Sequence, residues 1–217
     1  MISCDGVIFD FDGTVAFTAE DVWRAVDYAA EKAGGSIDPE YRSDPVNLSK
    51  PAAQIFRDNF GPLTDEQVAE MCRDLSHHYG WITDYPETYM YDGMEEVLAE
   101  LRHRGIPAGI VTNKGERSLR RILEIKGWSG YFSYLLGSDS LGGLKKPELI
   151  AHMMASDYRS KNCIYIGDSF SDVTASRQNG IPCIAVTYGD GNTEDLIKAK
   201  PRYVCGSPRE VYRILFE

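Results

Sequence analysis

The spacing of apolar positions changes character along this chain. Residues 6–11 form an apolar run rich in β-forming side chains, long enough for a buried strand and too short for a helix. From 20 to 32 the apolar residues recur at helical spacing, and Glu20 and Asp21 suit the positive end of a helix dipole. Gly34 and Gly35 stop that helix. Residues 36–50, with Pro39, Asp44, Pro45 and Asn47, predict an irregular loop. Two more helices are predicted over 52–59 and 65–79, the second capped by Thr64. The stretch from 16 to 85 therefore reads as an all-helical insertion after the first strand. Trp81, Tyr85, Tyr89 and Tyr91 lead out of it and read as hinge packing.

From Gly93 onward the pattern is regular. Helices are predicted over 94–103, 116–126, 172–178, 194–199 and 208–215, and another opens at Pro147, a residue suited to a first helical turn. Strands are predicted over 107–112, 134–136, 163–166, 183–186 and 203–205. Apolar strands alternating with helices predict an α/β fold, a parallel sheet covered by helices on both faces. Active sites in such sheets lie beyond the carboxyl ends of the strands.

Composition narrows the class. The chain has 217 residues, 43% hydrophobic and 26% charged, the balance of an ordinary globular protein. A formal net charge of -10 argues against a nucleic-acid or anionic-membrane surface, though not against a small phosphate ester held by a metal and local cations. Five dispersed cysteines without a Cys-x-x-Cys pair read as reduced thiols rather than a disulfide framework or zinc site. Met1 leads almost directly into the first strand, and no apolar run approaches the ~20 residues that span a bilayer. A cytoplasmic protein is expected, as a monomer or homodimer.

The chemistry is concentrated behind the strands. The first ends in Asp10-x-Asp12-Gly13-Thr14, and a pleated strand would send both acids to the same side. Two like charges so close need a cation or a shared proton. A later strand ends in Val111-Thr112-Asn113-Lys114, a loop carries Lys145-Lys146-Pro147, and another strand ends in Gly167-Asp168-Ser169-Phe170-Ser171-Asp172. Parallel topology gathers these ends at one edge. Carboxylates, a hydroxyl, backbone amides and a lysine suit magnesium-assisted phosphoryl transfer. Asp168 and Asp172 also resemble a helix N-cap pair, but a cap needs no second acid four residues on.

These four stretches, in this order and with a helical insertion after the first, resemble the four motifs of the haloacid dehalogenase-like superfamily of aspartate-nucleophile phosphatases. The resemblance spans essentially the whole chain. It implies a Rossmann-like core over 1–15 and 86–217 and a helical cap over 16–85. Tyr91-Asp92-Gly93-Met94 and Thr187-Tyr188-Gly189 are similar to the phosphoglycolate phosphatase-like group. The resemblance also implies roles. Asp10 would be the nucleophile and Asp12 the acid/base. Mg²⁺ would be held by Asp10, the Asp12 carbonyl and Asp168. Asp172 would hold metal-bound water or orient Lys146. Thr112 and Asn113 would hold a phosphoryl oxygen, and Lys146, rather than the adjacent Lys145, would pair with nucleophile and phosphate.

Relatives of other activity differ at specific positions. Dehalogenases and phosphonoacetaldehyde hydrolases lack the second acid of the first motif, which is present here as Asp12. The β-phosphoglucomutases carry a His where Val22 stands, favouring a hydrolase over a mutase. The cap loop 41–50 departs from the phosphoglycolate phosphatase pattern. In it Arg42 and Lys50 are candidates to reach a substrate carboxylate or second phosphate, against the alternative of solvated loop charges. The expected function is a Mg²⁺-dependent phosphatase for a small phosphorylated metabolite. The alternatives are a phosphomutase and a non-catalytic binding protein on the same fold.

Overall fold

A computed structural model describes residues 2–158 and 160–217, with Ser49 described by its backbone alone. The strands are β1 (Gly6–Phe9), β2 (Ala16–Phe17), β3 (Tyr89–Met90), β4 (Ala108–Val111), β5 (Tyr134–Leu136), β6 (Cys163–Gly167), β7 (Cys183–Val186) and β8 (Tyr203–Cys205). Six of them form one parallel sheet in the order β5-β4-β1-β6-β7-β8. β1, β4, β6 and β7 are buried along their whole length, which is why they read as unbroken apolar runs.

In chain order the helices are α1 (Ala19–Lys32), α2 (Pro39–Ser43), α3 (Ala52–Asn59), α4 (Asp65–His77), α5 (Met94–His103), α6 (Glu116–Ile125), α7 (Lys146–His152), α8 (Phe170–Gln178), α9 (Thr193–Lys198) and α10 (Pro208–Phe216). The helices expected around the sheet are α5 to α10. Leu149 and Ile150 of α7, Val173 of α8 and Leu196 of α9 pack with Ile8 and Tyr165 in one core cluster. Val7 and Phe9 alternate with Ile8 and so face the other side, where α5 lies beside β4 and α10 beside β8. The result is the Rossmann-like arrangement expected. β1 sits at the point where chain order reverses, with β4 on one flank and β6 on the other, so the loops after these three strands share one crevice.

The chain divides into two compact units. One runs up to Phe17 and again from Tyr89 to Glu217, and the other is Thr18–Thr88. The second unit is helical. Trp23, Val26, Ile55, Phe56 and Met71 make its core, drawn from the apolar faces of α1, α3 and α4. The buried Asp21 carboxylate accepts hydrogen bonds from Glu87 N (3.1 Å) and Thr88 Oγ1 (2.8 Å), tying α1 to the end of the unit. Thr64 and Gln67 form the capping box that opens α4.

Four local expectations need correction. Ala16 and Phe17 are not helical: they pair antiparallel with Tyr89 and Met90, a strand too short to show alternation. Residues 36–50 are not an irregular loop, because Asp38 and Asp44 each cap a helical turn that starts at the following proline. β1 ends at Phe9, two residues early. Thr14, Val15 and Ala16 all donate to the Phe11 carbonyl, so Asp12 stands in a turn, not on a pleated strand. α8 opens at Phe170 rather than 172. No helix among the described residues is long and apolar enough to cross a membrane.

Candidate active site

Asp10 follows β1 directly, and its amide donates to Ile166 O of β6 (2.8 Å), which fixes it at the centre of the crevice. One carboxylate oxygen accepts from Phe11 N (2.8 Å), the other from Lys146 Nζ (3.0 Å). Thr112 is buried at the end of β4, and its hydroxyl beside Asp10 favours the charged carboxylate. Burial pushes the Asp10 carboxyl up. Lys146 opposes that shift, while Asp172 and Asp12 reinforce it.

Lys146 comes from the first turn of α7 and is 6% exposed. It donates to Asp172 (2.7 Å) as well as Asp10. Burial alone would lower its ammonium, but the two carboxylates outweigh burial and hold it above the usual lysine range. Lys145 is exposed at the helix cap.

Asp168 follows β6 and is 6% exposed. Its Oδ2 accepts from Asp190 N (2.9 Å) and Gly191 N (3.0 Å) in the loop after β7. Its Oδ1 accepts no hydrogen bond among the described residues. Burial first, then Asp10 and Asp172, raise its carboxyl well above the ordinary aspartate range. Only glycine fits at 189: a Cβ there would collide with the Gly13 carbonyl and lie 2.5 Å from Asp168 Oδ2.

Asp172 has no exposed surface, and both its oxygens are engaged. Oδ1 takes Lys146 and the Tyr165 hydroxyl (3.2 Å); Oδ2 takes the Ser169 amide (3.0 Å) and hydroxyl (2.6 Å). Ser169 and Asp172 form the capping box of α8. Asp172 therefore does serve a helix cap, contrary to expectation, because the capping residue is Ser169, three positions before it, and not Asp168. The one proton of the Tyr165 hydroxyl is shared between Asp172 Oδ1 and the nearer Val111 O (2.8 Å), which joins β6 to β4 beneath the site.

Asp10, Asp168 and Asp172 each offer a carboxylate oxygen within 4.8 Å of the others. At an effective dielectric of about 20, two such like charges repel by roughly 3 kcal/mol. Lys146 is the one ammonium hydrogen-bonded to this cluster among the described residues, so the cluster carries excess negative charge. Buried oxygens in excess of their cations, with Asp168 Oδ1 open, suit a hard divalent ion. The residues present fit a metal.

Asp12 is not part of that cluster. Its carboxylate pairs with Lys114 Nζ (3.1 Å), whose side chain is 6% exposed. Asn113 is exposed, and its side chain makes no hydrogen bond among the described residues. In the helical unit, Arg42 pairs with Asp27 (2.5 Å) and Glu20 (2.9 Å), and Lys50 with Asp58 (2.9 Å). Both cations are thus engaged by acids of their own unit. The sequence places Lys114, Ser169 and Gly189 within motifs but shows no role for them, and it does not single out Tyr165, Asp190 or Gly191. The available signals were the Ser-x-x-Asp capping spacing and the paired glycines after β7.

Comparison with known proteins agrees with this geometry. The family model described as haloacid dehalogenase-like hydrolase matches residues 7–186. A 5'-nucleotidase of Pseudomonas aeruginosa is 28% identical over 213 residues, covering 96% of this chain and 94% of that protein. A phosphoglycolate phosphatase of Yersinia pestis is 28% identical over 204 residues, covering 90% and 86%. Among solved structures, a predicted phosphatase from Clostridium acetobutylicum superposes with a TM-score of 0.80 at 27% identity over 98% of each chain. A predicted phosphoglycolate phosphatase from Haemophilus somnus does so with a TM-score of 0.85 at 22% identity over 99% of each, a likeness of fold. The chain belongs to the haloacid dehalogenase-like hydrolases, and within that family it is a phosphatase.

Proposed function

We propose that the chain is a Mg²⁺-dependent phosphatase for a small phosphorylated metabolite, working through an aspartyl-phosphate on Asp10 in the cytoplasm. The observation that carries this reading is Asp10 itself: a buried carboxylate at the centre of the crevice, hydrogen-bonded to Lys146 and to Phe11 N and facing Asp168. The likeness to a 5'-nucleotidase and to phosphoglycolate phosphatases over most of the chain supports a phosphate monoester as substrate.

In this reading a carboxylate oxygen of Asp10 attacks phosphorus and the ester oxygen departs, taking a proton from Asp12. Asp12, left as a carboxylate, then removes a proton from the water that splits the aspartyl-phosphate. Thr112, Asn113 and Lys146 hold the phosphoryl oxygens, and Lys146 offsets the repulsion between two anions that must meet. Asp10, the Asp12 carbonyl and Asp168 would hold Mg²⁺, which would supply positive charge for the phosphoryl group. Asp172 keeps Lys146 in place. The helical unit 18–88 acts as a cap that selects substrate, with Arg42 and Lys50 as its basic candidates.

Phosphate release from a panel of phosphoglycolate, nucleoside monophosphates and sugar phosphates tests this. Release is expected with Mg²⁺, with none in excess chelator or in Asp10→Asn. Metal-independent release, or release that survives Asp10→Asn, would overturn it. Conversion of a sugar phosphate to its isomer without free phosphate would point to a mutase instead.

A further inference from the structure

Lys114 lies one residue beyond the proposed phosphate-binding pair Thr112-Asn113, on a backbone held from several sides. Its carbonyl accepts from Ser138 N (3.0 Å) at the end of β5, and its amide donates to Thr112 Oγ1 (3.3 Å). The next element is pinned as well: Asp139 accepts from Glu116 N (2.7 Å) at the start of α6. Gly137 leaves no slack, since a Cβ there would lie 2.6 Å from the Lys114 carbonyl. A buried ammonium on so constrained a backbone is held in place. It reaches Asp12, at 3.1 Å.

Burying an ammonium is costly unless it is paired, and the cation that serves Asp10 and Asp172 is a different one, Lys146. The site therefore uses two lysines on two separate tasks. One balances the nucleophile and the carboxylate behind it. The other stands on the acid that the proposed reaction uses to move protons. Lys114 also touches the nucleophile's surroundings through its backbone: its amide donates to the hydroxyl of Thr112, the residue that favours the charged form of Asp10.

We infer that Lys114 is a positioning residue for proton transfer by Asp12, an inference that rests on the phosphatase reading above. It holds Oδ1 of the Asp12 carboxyl and so fixes the orientation from which that group hands its proton to the leaving oxygen. When the P–O bond breaks, its electron pair goes to the ester oxygen, and the Asp12 proton forms the O–H bond of the departing alcohol. Asp12 is then a carboxylate, and the ammonium 3.1 Å away stabilises that charge.

The consequence is a dependence on the leaving group. An alkoxide must be protonated as it leaves, whereas 4-nitrophenolate departs without help. kcat/KM reports steps up to that departure, so it isolates proton donation from the later attack by water. In Lys114→Met, kcat/KM for the best alkyl phosphate of the panel is expected to fall at least about tenfold, part of the roughly 10²–10⁴ that a general acid supplies. For 4-nitrophenyl phosphate it should change less than about threefold. Lys114→Arg, which keeps the charge, should restore most of the alkyl activity. Because both esters are measured on one sample, the ratio is unaffected by a loss of folded protein. Lys114→Gln carries the same expectation if the Met variant does not fold. An equal fall for both esters would make Lys114 a phosphate ligand or a structural residue, and no fall would leave it without a part; either overturns the inference. Asp12→Asn is the control. If it shows no alkyl-specific loss, the role given to Asp12 fails, which is a different failure from that of Lys114.

Discussion

The Lys146 ammonium stands 2.7 Å from Asp172, a carboxylate with no exposed surface whose other oxygen is taken up by Ser169. Asp172 thus joins the start of α8 to the lysine of α7, and the lysine in turn reaches Asp10. Replacing Asp172 by Asn keeps the shape and removes the charge that holds Lys146. Phosphate release should fall by about 10–100-fold, the usual cost of losing a charged partner behind a reactive group. Steady-state kinetics checks this; wild-type rates in a folded Asp172→Asn protein would show that Lys146 needs no such anchor.

The buried acids predict an unusual effect of neutralising one of them. Asp168 is repelled by Asp10 and Asp172 when no cation is bound. Asp168→Asn should therefore raise the melting temperature in chelator while removing the increase that Mg²⁺ gives the wild type. Thermal denaturation with and without the ion measures both. A variant that melts lower in chelator would mean that the hydrogen bonds to Asp190 and Gly191 N outweigh the repulsion.

Gly189 offers a second route to the same oxygen. A methyl group there would collide with the Gly13 carbonyl and lie 2.5 Å from Asp168 Oδ2, crowding the turn after Asp12 and the carboxylate together without altering any charge. Gly189→Ala is expected to weaken Mg²⁺ binding about tenfold or more, read by titration calorimetry. Unchanged affinity would place the metal away from Asp168.

His78 predicts a pH dependence remote from the chemistry. It is half-buried, its ring 4.6 Å from Tyr28, and its Nδ1 is buried with no hydrogen-bond partner among the described residues. Burial, then His77, holds its imidazole below the ordinary value. As pH falls through about 6.5 the unfolded chain takes up the proton first. Stability present above that pH is then lost towards the lower folded value. His78→Phe should shrink the difference in urea midpoint between pH 7.5 and pH 5.5. An undiminished difference would assign the acid sensitivity to other groups.

Much of the core was legible because its signals are local. β1, β4, β6 and β7 are buried on both faces, so each reads as an apolar run, and a parallel sheet places Asp10, Thr112 and Asp168 at one edge without further information. Lys146 could be separated from Lys145 by the proline after it. The features that were missed depend on contacts between distant segments. β2 and β3 are two residues each and 72 positions apart, from Phe17 to Tyr89, and have no pattern of their own. The Lys114–Asp12 pair depends on the course of one side chain, 102 positions from its partner. The support of Asp168 by residues 189–191 requires knowing that the β7 loop folds back over β6. Arg42 and Lys50 looked free because the acids that engage them, Asp27 and Asp58, lie on helices whose packing the sequence does not display.

Catalysis through Asp10 leaves a covalent phosphate on its carboxylate, and that phosphate can be trapped. Enzyme quenched in acid during turnover of its best ester would be reduced with borohydride, which converts an aspartyl-phosphate to homoserine, and its peptides analysed by mass spectrometry. Homoserine at position 10, absent in chelator and in Asp10→Asn, is the result predicted. Turnover with position 10 unmodified, or homoserine at another aspartate, would show that Asp10 is not the nucleophile.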